Sequence, residues 1–122
     1  MKRNLDLIRD MLLLIEKNNS HNSLTDEDFS SLNPDMDVID YHIFLLADSG
    51  YINYDEFGTL GRFYPEITIN WLTSSGCDYL DSVRSTRVWE KTKEKLSEIG
   101  GRASLDVIKT VAEHVALSVL GL

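Results

Sequence analysis

The residues in this chain best able to do chemistry are one cysteine, three histidines and twenty carboxylates. Cys77 becomes a nucleophile only if a base approaches closely enough to take its proton. A lone cysteine at a helix start otherwise reads as a small buried side chain. His21, His42 and His114 lie far apart and lack metal-ligand spacing. His42 falls on the same helical stripe as Ile39, Ile43 and Leu46, so it reads as a core histidine bonded to backbone. Asn33, Asp35 and Asp37 alternate like the first ligands of a calcium loop. The pattern then fails, because Val38 stands where glycine must turn the chain and Phe44 where a bidentate glutamate must close it. Gly58-Thr59-Leu60-Gly61 lacks the spacing of a phosphate cradle. No catalytic residue, cofactor site or metal site is expected, and the chain reads as a non-enzyme.

Charge carries more information. The chain has 122 residues and a net charge of −8. From Asn18 to Gly61 there is no Lys or Arg, but there are nine acids. The other 78 residues balance to +1, so the whole excess lies in one contiguous third. An acidic surface repels nucleic acid and favours basic partners. Asp26, Glu27, Asp28, Asp35, Asp37 and Asp40 are the candidate partner-binding face. Arg62, Phe63 and Tyr64, with Phe57 nearby, are candidate contacts at a hairpin tip, since aromatic side chains are enriched at binding hot spots. The alternative for Phe57 and Phe63 is packing across the hairpin base. Basic residues recur at Arg84, Arg87, Lys91 and Lys95, three or four apart, and would form one helical stripe that Lys2, Arg3 and Arg9 could join. Those four are the candidate nucleic-acid contacts, although Glu90, Glu94 and Glu98 interleave with them.

These residues need elements to position them. Leu5, Ile8, Leu12 and Ile15, widened by Met11 and Leu14, predict a helix over 4–17, ended by Asn18, Asn19 and Ser20. Residues 24–31 read as a short helical turn capped by Thr25, with an edge strand as the alternative. Ile39, His42, Ile43 and Leu46 predict a helix over 35–48, with acids at its N-terminal end and Gly50 as its left-handed cap. The period then changes to two, with Ile52 and Tyr54 on one face, then Ile67, Ile69 and Trp71 on one face. Residues 57–65, holding two glycines and a proline, form the hairpin loop. Three further helices follow. The first buries Tyr79, Leu80 and Val83. The second runs over 86–98 to Gly100-Gly101, and Ser104 caps the third. The last is apolar round much of its girth, so Leu105, Ile108, Val111, Val115 and Val119 read as part core and part homodimer interface.

At this length roughly two-thirds of the unfolded surface is buried, enough for one domain without staples. The single cysteine excludes an internal disulfide, and the longest apolar run, Met11 to Ile15, excludes a membrane span. A reducing cytoplasm is the expected compartment.

The segments "LLADSGYI" and "INWLTSSGCDYLDSVR" resemble winged-helix domains. The matching residues are Leu46, Gly50 and Ile52, then Leu72, Thr73, Gly76 and Leu80. A narrower resemblance covers nearly the whole chain. "MKRNLDLIRDMLLLIE", "IDYHIFLLADSGYI", "VWEKTKEKL" and the closing "VLGL" are similar to a domain-of-unknown-function family of phages and prophages. That resemblance implies a winged-helix-like fold, a phage setting and no assigned activity.

The expectation is an α+β, mostly helical chain, with a helix-turn-helix and hairpin wing over 1–83 and a helical extension over 84–122. It would act in the host cytoplasm as a protein-interaction or regulatory module, its acidic face docking on a basic host protein. The alternative is a transcriptional regulator that uses the basic stripe.

Overall fold

A computed structural model describes residues 1–18 and 21–122, so Asn19 and Ser20, expected to help end the first helix, lie outside the described residues. The architecture is mixed α+β and mostly helical. Two compact units form, Met1–Cys77 and Asp78–Leu122.

The first unit opens with α1, Leu5–Lys17. Asn4 caps it by accepting the Leu7 N–H at 3.1 Å. Leu7, Ile8, Met11, Leu12 and Ile15 are buried along one stripe. Burying each such side chain contributes roughly 1.5–3 kcal/mol. The ambiguous segment after α1 contains both expected forms. Leu24 exchanges two backbone hydrogen bonds of 2.8 Å with Ile69, and a 3-10 turn follows over Asp26–Phe29. The Asp28 carboxylate reaches back to accept the Thr25 N–H at 2.7 Å.

Helix α2 spans Met36–Asp48. Asp35 caps it by accepting the Asp37 N–H at 3.0 Å, and Asn33 accepts the Asp35 N–H at 2.8 Å. The calcium-like alternation of Asn33, Asp35 and Asp37 is therefore the turn-and-cap chemistry of a helix start. Gly50, at φ +74°, ends the helix, and the Tyr51 N–H returns to the Leu46 carbonyl at 3.0 Å.

Strands β1, Ile52–Glu56, and β2, Ile67–Leu72, pair antiparallel. Ile52, Ile67 and Ile69 are buried as the alternation predicts. Tyr54 and Trp71 depart from it and are exposed, Trp71 by 61%. The register slips between Asn53 and Tyr54, so that Asn70 is the extra residue on β2. A bulge of this kind breaks the two-residue period and turns the next side chain off the core face. Asn70 itself links the strands, donating to Asn53 at 2.8 Å and Asp55 at 3.1 Å and accepting from Ser23 at 2.5 Å.

Helix α3, Ser74–Val83, begins in the first unit and ends in the second. Cys77, expected to be buried, is exposed. The buried position in that first turn belongs to Gly76, and the next residue on a helix points about 100° away. Tyr79, Leu80 and Val83 are buried as expected. In the second unit α4, Thr86–Ser97, packs against α5, Leu105–Val119. Ser85 and Ser104 cap them. Among the described residues no helix is long and apolar enough to cross a membrane.

Candidate functional site

Helix α2 has two faces of different chemistry. Ile39, His42, Ile43 and Leu46 are buried. His42 is held as the sequence predicts. Its Nδ1 lies 2.7 Å from the Val38 carbonyl and its Nε2 accepts the Asn4 N–H at 2.9 Å. The opposite stripe, at helical spacing, is Asp37, Tyr41, Phe44 and Asp48. Asp37, Phe44 and Asp48 are exposed and Tyr41 is half-buried.

The hairpin tip lies over this stripe. Tyr64 has its ring centroid 5.9 Å from those of both Tyr41 and Phe44. Phe63 meets Tyr64 edge-on at 5.0 Å and is itself 90% exposed. Phe57 is also largely exposed, so neither phenylalanine packs across the hairpin base. A continuous aromatic surface runs from α2 to the tip, and such ring pairs contribute beyond their buried area.

Arg62 is not a free cation at the tip. Its Nη2 lies 3.4 Å from carboxylate oxygens of both Asp26 and Asp40, and its Nε donates to the Tyr64 carbonyl at 3.4 Å. The guanidinium thus latches the tip to the acidic helix. The gap beside it holds about 30 Å³, enough for ordered water. Burial, reinforced by a hydrogen bond to Asp26 and repulsion from Asp26 and Asp37, raises the Asp40 pKa from 3.8 to about 6 despite Arg62.

Asp40 therefore binds its proton more tightly in the fold than in the unfolded chain. The stability this contributes is complete below pH 3.8 and is lost as pH rises through about 6. A shift of about two units corresponds to roughly 3 kcal/mol, which partial solvent screening reduces to about 1–2 kcal/mol. Asp40→Asn is expected to stabilise the protein by that amount at pH 7.5 and by nothing at pH 3.5. Urea denaturation at both pH values tests this, and an equal effect at both would contradict it.

Of the six acids marked from sequence, Asp26 and Asp40 face Arg62, while Asp28 and Asp35 serve as caps. Glu27 and Asp37 are exposed. The sequence reading missed Tyr41, Phe44 and Asp48 as partners of Asp37. The signal was present in their spacing, on the side of the helix away from its apolar stripe.

The basic stripe divides. Arg84 pairs with Asp81 at 2.8 Å, whereas Arg87, Lys91 and Lys95 share an exposed line along α4. Of the residues read as part core and part dimer interface, Leu105, Ile108 and Val115 are buried within the chain, where α4 packs against α5. Val111 and Val119 are half-buried, and the exposed apolar residues of α5 and its end are Val107, Leu117 and Leu120. Among the described residues no three metal-ligating side chains gather.

A family model described as "Hypothetical protein (DUF2513)" matches residues 2–102. An uncharacterized protein of Haemophilus influenzae (strain ATCC 51907 / DSM 11121 / KW20 / Rd) is 32% identical over 121 residues, covering 98% of this chain and 99% of the relative. No solved structure matches. A family match across most of the chain and a relative matched over nearly its full length agree, and the chain belongs to the DUF2513 family.

Proposed function

We propose that the chain is a non-enzymatic winged-helix module of phage or prophage origin, working in the host cytoplasm by binding a basic protein. Its docking surface is the outer stripe of α2 together with the hairpin tip. The observation that carries this reading is the sequence of groups on that stripe, Asp37–Tyr41–Phe44–Asp48, with Tyr64 and Phe63 alongside. Aromatic rings rimmed by carboxylates suit arginine and lysine side chains, which stack on the rings and pair with the acids. Helix stability does not account for Asp48. It lies in the last turn, where the helix dipole disfavours a carboxylate, and no basic residue offsets it there.

In a winged helix the element before the hairpin normally reads DNA. Here α2 has no lysine or arginine for phosphates, which supply most DNA affinity. The second reading, a DNA-binding regulator, draws on the exposed line of Arg87, Lys91 and Lys95. Affinity capture from bacterial host lysate tests the first reading, comparing wild type with a variant carrying Phe44→Ala, Asp37→Asn and Asp48→Asn. A captured basic protein should fall roughly tenfold, the loss of about 1.4 kcal/mol. Unchanged recovery sinks the proposed surface. Low-salt DNA binding that weakens steeply with salt and with Arg87→Ala establishes the regulator instead.

A further inference from the structure

We infer that the groove between α4 and α5 seats the outer stripe of α2 from a second copy of this chain, in a head-to-tail contact. This rests on the reading of that stripe as a docking surface and names a partner for it.

The groove encloses about 600 Å³, within the roughly 300–1,000 Å³ range of sites that bury sizeable groups. Val111 and Val115 give it an apolar lining, while Lys91, Lys95 and His114 bring nitrogen donors to it. Glu94 is the one carboxylate among its lining residues. Lys91 and Lys95 lie one turn apart, with Arg87 a further turn along the same exposed line. None of these three has a carboxylate partner among the ion pairs of the described residues, whereas neighbouring Lys93 pairs with Glu90 at 3.2 Å. The unit around the groove holds seven basic and seven acidic residues, so its attraction for acids comes from this local arrangement and not from net charge.

The complement lies on the same chain. The α2 stripe carries a carboxylate at each end, about 16 Å apart along the helix, with Tyr41 and Phe44 between them. Arg87 to Lys95 spans about 12 Å on α4. Laid along the groove, the acidic stripe sets Phe44 toward the valines and its carboxylates toward the lysines. This is helix-in-groove recognition with charged rims. The two surfaces differ, so the contact is heterologous and extends beyond a dimer unless rotation closes it into a ring. A self-complementary apolar seam on α5 is a poorer solution, because Leu105 and Ile108 are already buried within the chain.

Charge reversal on each surface tests the inference. Sedimentation equilibrium of the whole protein would be run over a range of concentrations at about 10 mM and about 1 M salt, where the Debye length falls from ~30 Å to ~3 Å. Wild type is expected to associate at low salt and to dissociate at high salt. Lys91→Glu with Lys95→Glu should weaken association at least roughly tenfold, and so should Asp37→Lys with Asp48→Lys. An equimolar mixture of the two variants should associate again, because each reversed surface then meets a complement. All four positions are exposed, and circular dichroism of each variant checks that it folds; Lys91→Gln with Lys95→Gln gives a milder form of the first. A monomer at every concentration in low salt overturns the inference. So does association that survives both reversals, or a mixture that stays apart. If the mixture fails but the α2 variants still lose a captured host protein, this contact falls and the docking surface stands.

Discussion

Gly76→Ala is expected to cost at least about 4 kcal/mol, at the exceptional end of single-substitution effects and a large share of a domain's ordinary stability. A Cβ at this position would stand 2.1 Å from the Tyr51 carbonyl oxygen and 3.0 Å from its carbon. The obstacle is backbone, and it is fixed in place. The Tyr51 oxygen accepts the Thr73 N–H at 3.0 Å. The Thr73 hydroxyl donates to the Gly50 carbonyl at 2.5 Å and accepts the Gly76 N–H at 3.1 Å. Relieving the clash therefore breaks the bonds that join the end of β2 and the start of α3 to the turn after α2. Gly50→Ala is the informative control. Gly50 has φ +74° and nothing within 4 Å of an added Cβ, so alanine there meets only the left-handed penalty of roughly 1–2 kcal/mol. Urea denaturation of both variants compares them. Equal losses would mean that close approach does not set the need for glycine at 76.

That junction was legible in the sequence as a pattern before it was legible as physics. Leu46, Gly50, Ile52, Thr73 and Gly76 were marked as fold signatures. Gly50 supplies the positive φ that ends α2, Thr73 caps α3 and bridges back to Gly50, and Gly76 permits the close approach. The helices were legible too, because their apolar periods are long and their caps are the favoured Asn, Asp and Ser. What failed had local causes. The bulge at Asn70 inserts one residue, and no alternation rule foresees it, so the alternation places Trp71 on one face with Ile67 and Ile69. The wide apolar face on α5 reads as part core and part dimer interface; α4 covers the core part within the chain, and spacing alone does not divide the two. The acids were visible as a run. The caps and the exposed stripe follow from local spacing, but the latched pair of Asp26 and Asp40 depends on where Arg62 lands, and no spacing within residues 18–61 encodes a contact made from outside that segment.

The second large effect is at His42, where leucine is expected to cost about 2–3 kcal/mol at pH 7.5. The imidazole is fully buried and accepts the N–H of Asn4, a residue 38 positions earlier that caps α1. Leucine fills the space but leaves that part-buried N–H without its acceptor. Glutamine retains an acceptor and should lose less. The pH dependence separates this role from simple packing. Burial lowers the His42 pKa below 6.5, opposed in part by its bond to the Val38 carbonyl. Above pH 6.5 both folded and unfolded forms are neutral and the histidine contributes fully; as pH falls below 6.5 the unfolded chain takes the proton first and that contribution declines. The gap between wild type and His42→Leu should therefore narrow from pH 7.5 to pH 5. Asp40, two residues earlier on α2, runs the other way, costing stability at neutral pH and recovering it in acid. The two opposing terms flatten the wild-type profile over this range. Asp40→Asn should make the acid-side loss from His42 visible, and His42→Leu should reveal the acid-side gain from Asp40. If both variants instead follow wild type at a constant offset in denaturation measured across that range, neither residue titrates as its surroundings in the fold require.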